Sequence, residues 1–162
     1  MDALIQTPLT ICTLKATLAA GTTSTLSSTG TIYYGIKGKA YSHAALSNTA
    51  TPTTDATTGA AFVAIPANYG AIIVIGLDKA GALIASQGPL QALDTSGLFI
   101  IAPQFPTVLD TMCPIGYEVI KAGSTASSAP GFQFGTGNQA AVTGITYTLV
   151  DLITLTDRPQ VA

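Results

Sequence analysis

Apolar and polar positions along this chain alternate over short runs or gather in fours, and no apolar stripe with helical spacing lasts beyond two turns. The pattern is clearest from Tyr69 to Gln87. Ile72 to Ile75 is a run of four β-branched residues, too short for a helix and suited to a strand buried on both faces. Asp78-Lys79-Ala80-Gly81 follows, and its glycine can take positive φ, so the spacing predicts a tight turn closed by a glycine bulge. Ala82 to Gln87 then pairs back onto the run. This hairpin is the expected centre of the fold.

The same signals recur between turn residues elsewhere. If extended, Met1 to Ala20 puts Leu14, Ala16 and Leu18 on one face of a strand, or of an arm packed on a neighbour. Gly21 to Gly30 reads as a polar loop or edge strand. Ile32, Tyr34 and Ile36 alternate, and Lys37-Gly38 turns the chain into Lys39 to His43, a second hairpin. Asn48 to Gly59 is the longest loop signal. Short strands are predicted at Ala60 to Ile65, Ile115 to Lys121 and Phe132 to Phe134, with Leu90 to Leu93 continuing the sheet. Leu98 to Ala102 is apolar, and Pro103-Gln104-Phe105-Pro106 fixes an extended path after it. Thr143 to Leu155 alternates, with Ile145, Tyr147 and Leu149 on one face and Thr146, Thr148 and Val150 on the other.

About eight to ten short strands at turn intervals of roughly 8–12 residues predict an all-β chain, a single-domain antiparallel β-sandwich with a jelly-roll-like course. The expected organisation is an N-terminal arm or edge strand over 1–30, a sandwich core over 31–156 and a polar tail over 157–162.

Charge changes the picture. Charged residues make up only 9% of the chain, where soluble domains carry about 25%. Hydrophobic residues reach 48% and the net charge is −2. A free monomer keeps a charged, patch-free exterior, so part of this surface is expected to be covered in an assembly. Lys37-Gly38-Lys39 is the densest basic stretch and reads as a hairpin tip, so no nucleic-acid partner is expected. Uncharged stretches such as Ala56 to Leu77 are broken by Gly, Pro, Thr and Asn, and no basic region opens the chain. Neither a membrane span nor a signal peptide is expected. Cys12 and Cys113 are compatible with buried thiols, a disulfide or a reactive pair, and their apolar flanks favour buried thiols.

Chemistry-bearing constellations are sparse. His43 is the only histidine, and no nucleophile elbow is present. One histidine and two dispersed cysteines do not make a zinc site, and the carboxylates are scattered singly, so no metal or other cofactor is expected. Glu118 is the only glutamate and would need a distant aspartate for paired-carboxylate chemistry. Gly135-Thr-Gly137-Asn-Gln-Ala140 spells a dinucleotide fingerprint, but Val142-Thr-Gly144 cannot open the helix that motif requires. No enzyme activity is expected.

Several ordered stretches carry a resemblance. They are Ser47 to Phe62, Ala102 to Pro106 with Asp110-Thr111, Val119 to Thr125, and Leu155-Thr-Asp-Arg-Pro-Gln160. Across roughly residues 30–162 the chain is similar to a family of tailed-bacteriophage virion structural proteins. It departs from the family wording at Asn138 to Gly144, where a tryptophan is missing. The resemblance implies a decoration or cement protein of the virion, made in the host cytoplasm. Its partners would be the major capsid protein or another virion protein, and further copies of itself in a homo-oligomer. Polarity and position then nominate the N-terminal arm, the Asn48 to Gly59 loop and the tail as contacts. Leu14, Leu18, Pro52, Asp55, Phe105 and Arg158 are the candidate interface residues. Two alternatives stay open: a receptor- or glycan-binding module using Tyr33, Tyr34 and Tyr41, and a self-assembling tube or fibre subunit.

Overall fold

In the computed structural model, residues 9–21, 23–126, 130–137 and 141–152 are described. Eleven strands follow in order among them: β1 (Ile11–Cys12), β2 (Ala19–Ala20), β3 (Thr25–Ser27), β4 (Ile32–Ile36), β5 (Lys39–His43), β6 (Thr49–Ala50), β7 (Tyr69–Leu77), β8 (Leu83–Gln87), β9 (Gln91–Ala92), β10 (Cys113–Ala122) and β11 (Ile145–Asp151). The main sheet runs β11-β10-β7-β8, with β9 also on β7, and all its strand pairs are antiparallel. Two small sheets, β1-β4-β5 and β2-β3-β6, share one core with its inner face. The class is therefore all-β and sandwich-like. No helix among the described residues is long and apolar enough to cross a membrane.

Both predicted hairpins form. At Asp78, the backbone N–H donates to the Ala82 carbonyl, and the Asp78 carbonyl accepts from Gly81 N–H, both at 3.1 Å. Gly81 takes a φ of 82°, so the turn closes on a glycine bulge. The Asp78 carboxylate also accepts the Ala80 and Ala82 N–H groups at 2.8 Å. Ile36 faces Lys39 across Lys37-Gly38, where both turn residues have positive φ, as a two-residue type I′ turn requires.

β10 is the longest strand and is paired on both sides. Its register against β7 slips between Pro114 and Gly116. Pro114 has no N–H to give the ladder, so a bulge is where a central strand tolerates it.

Of the strand and the arm expected at the N-terminal end, the described residues give strands: β1 pairs with β4 and β2 with β3 of the same chain. Three expectations change. Leu14, Ala16 and Leu18 do not share a face. Ala16 and Leu18 are buried, whereas Leu14, where the chain bends, is exposed. Ala60 to Ile65 is not a strand. Only Ala61 and Ile65 make isolated bridges, while the Gln87 side-chain amide pairs with Val63, accepting its N–H and donating to its carbonyl. That amide replaces a ladder partner. Phe132 to Phe134 is likewise reduced to a bridge between Phe132 and Ile65.

β7 is buried on both faces from Gly70 on, and the cover on its outer face is not a second sheet. Residues 98–112 run along it as an irregular strap. Phe99 lies over Gly70, where an added Cβ would come 2.8 Å from its ring, and Met112 lies over Gly76, where one would come 2.7 Å from Met112 Cγ. Val108, Leu109 and Met112 close a small second core over Ile72 and Val74.

Candidate functional site

The strap has two sides with opposite tasks. Its inner side supplies Phe99, Val108, Leu109 and Met112 to the sheet. Its outer side presents Leu98, Ile100, Ile101 and Phe105, each between 56 and 65% exposed. The prolines at 103 and 106 deny the strap a full ladder, so it lies on the sheet as a band of side chains. Phe105 still anchors edge-on against Tyr117, with ring centroids 5.0 Å apart. Lys121 donates to the Gly97 carbonyl at 3.1 Å and sits over the Phe99 ring, which fixes the other end. The result is an apolar surface held rigidly over β7 and β10.

The other nominated residues fall in different surroundings. Leu18 is buried, and its side chain lies against Gly116. Leu14 is exposed. Pro52 is half-buried, with its carbonyl under Gly135, whose φ of 81° belongs to a turn. Arg158 and the 157–162 tail lie outside the described residues.

Asp55 is an internal staple. One carboxylate oxygen accepts the Thr57 and Thr58 N–H groups at 2.7 and 3.3 Å, and the other accepts Gln87 N–H at 3.0 Å. Ala56 N–H adds a bond to the Ala85 carbonyl, so the loop is sewn along the β8 edge. Asp55→Ala strands the Gln87 donor and frees the turn. An expected loss of about 2–4 kcal/mol follows from three charge-assisted bonds removed together. A urea midpoint unchanged by D55A would contradict this role.

The residues that could carry chemistry are not brought together. His43 rests its ring on Gly81, and its Nδ1 contacts the Ala44 carbonyl. Cys12 and Cys113 are both buried in the core shared by β1, β4 and β10. Burial, with a further contribution from Cys12, pushes the Cys113 thiol up to about 12. Glu118 is fully buried on the inner face between Ile73 and Leu149, and neither carboxyl oxygen has a hydrogen-bond partner. Burial raises it to about 8. It is sealed from any substrate in solvent. Among the described residues, no group of three or more His, Cys, Asp or Glu could hold a metal.

Tyr33, Tyr34 and Tyr41 form no common platform. Tyr34 is buried with its hydroxyl on the Asp78 carbonyl and stacks on Tyr41, whereas Tyr33 points to the opposite face and is exposed. A cleft of about 560 Å³ lies at the end of β11, lined by Asp94, Ser96, Ser124 and Thr146 among others. Its one carboxylate is already spent on Ser96 and Leu98 N–H.

Comparison of the chain with protein-family models, with curated proteins and with solved structures finds no match.

Sequence reasoning singled out Phe105 but missed Leu98, Ile100 and Ile101. The signal was present: an apolar run without polar alternation, bounded by a turn and by Pro103.

Proposed function

We propose that this chain is a non-enzymatic structural subunit of a tailed-bacteriophage particle, a decoration or cement protein that docks its strap face on the major capsid protein. The observation that carries this is the strap's outer row, Leu98, Ile100, Ile101 and Phe105. Side chains exposed to that degree amount to on the order of 500 Å² of apolar surface, at the upper end of what a lone soluble protein shows. The chain carries only 9% charged residues. A lattice supplies many copies of one partner, so a modest apolar footprint suffices when it is repeated. The stretches resembling phage virion proteins include Ala102 to Pro106, which lies within the strap.

The test is co-sedimentation of purified protein with undecorated heads, using wild type and a Leu98→Asp, Ile101→Asp double variant. Both positions are exposed, so the variant keeps its fold. Wild type is expected to pellet with heads and the variant to stay in the supernatant. Equal binding by both, or no binding by wild type, would overturn the assignment.

A further inference from the structure

We propose that β11 is a self-pairing edge that joins two copies of this chain into one continuous sheet. The main sheet has two outer strands, and they are treated differently. On β8 the edge is covered: Ala56 N–H, the Asp55 carboxylate and the Val63 to Gln87 amide pair occupy its side. On β11 nothing among the described residues pairs with the outer side.

The phase of the ladder tells which groups face outward. Gly123 N–H donates to the Gly144 carbonyl and Leu152 N–H to the Ile115 carbonyl. With Lys121 opposite Thr146 and Tyr117 opposite Val150, the residues bonded to β10 are Thr146, Thr148 and Val150. The main-chain groups of Tyr147, Leu149 and Asp151 therefore point away from the sheet. Ile145 N–H is taken by the Val142 carbonyl, which leaves its own carbonyl outward.

Proteins that keep such an edge free defend it with lysine, proline, a bulge or an inward charge. The β11 sequence, Ile-Thr-Tyr-Thr-Leu-Val-Asp, has no lysine or proline, and its pairing with β10 runs without a register shift. No charged residue lies between Lys121 and Asp151. The Asp151 carboxylate accepts Leu18 N–H at 2.8 Å and faces Lys15 at 3.8 Å, so it does not guard the edge.

The pattern is also self-complementary. A two-fold axis at Thr148, the middle residue of β11, sets Tyr147 against the partner's Leu149 and Leu149 against the partner's Tyr147. Each pair exchanges both main-chain bonds. Thr148 meets the partner's Thr148 as a non-bonded pair, where Cα atoms approach to about 4.5 Å and threonines pair well. Ile145 falls opposite the partner's Asp151, which keeps the two carboxylates at opposite ends. Because the second edge is already covered, pairing stops at two copies.

The assignment rests on the edge alone and not on the strap, so the two are tested by different variants. Sedimentation over the micromolar range, with hydrogen exchange at Tyr147 and Leu149, is compared for wild type, Thr148→Lys and Thr148→Glu. Thr148 is exposed, and an unchanged far-UV spectrum confirms the fold of each variant. Wild type is expected to be a dimer with both amides protected. Each variant is expected to weaken association by about tenfold or more through like charges at the axis, with protection lost. An equimolar mixture of the two variants is expected to restore the dimer. A monomeric wild type, an open-ended polymer, or a dimer unmoved by both variants would overturn the proposal.

Discussion

Glu118→Met is expected to stabilise the protein, and by more at pH 8 than at pH 4. In the folded chain, burial without a hydrogen-bond partner lifts this carboxyl from an ordinary 4.5 to about 8. Between those values the native state holds a proton that the unfolded chain has released. The native state then binds more protons, so stability falls as pH rises through that window. The full contribution is present below about pH 4.5 and is lost once pH passes about 8. A displacement of this size corresponds to on the order of 5 kcal/mol.

The methionine matches the glutamate in length and removes the slope. Even in acid it gains, because the neutral acid still buries a hydroxyl and a carbonyl with nothing to bond. Ile73 and Leu149 on the flanking strands offer the apolar surroundings that methionine fills. Cys113, pushed to about 12, keeps its proton throughout and does not confound the profile. The check is urea unfolding of both proteins across that pH range. A wild-type profile that is flat, or that rises with pH, would show that Glu118 is paired in solution.

The parts of the fold that were legible in the sequence are those decided locally. Asp78 to Gly81 and Lys37-Gly38 specify their own turns through residues that tolerate positive φ, and the flanking alternation sets the register. The strap was not legible in the same way. Leu98 to Ala102 looks like a strand by composition, and only distant residues decide that it lies across β7 instead. Gly70 and Gly76 are those residues, since a side chain at either would lift the strap from the sheet. Polarity and position nominate Asp55 as a contact. Its burial depends on Gln87, 32 residues further on. Glu118 shares the parity of Ile120 along β10, but parity alone does not tell which face becomes core.

Phe134→Ala is expected to cost about 3–5 kcal/mol, the range for an aromatic ring removed from a packed core. Phe134 and Phe62 meet edge to face with centroids 5.1 Å apart, and both are buried. Neither belongs to a strand. Their segments touch through one bridge, in which Ile65 and Phe132 exchange main-chain bonds at 2.7 and 2.9 Å, and through Gln133, whose amide donates to the Phe62 carbonyl. With so few ladder bonds available, the ring pair is what keeps the two segments registered at this end of the core. Phe62→Ala is expected to cost a similar amount. The double variant should cost less than both together by about 0.5–1.5 kcal/mol, the energy of the aromatic contact. Strict additivity in that cycle would mean that the rings fill space independently and that the bridge alone sets the register. A deficit of the expected size would place the registration in the side chains, where a chain with little regular structure between β6 and β7 has to keep it.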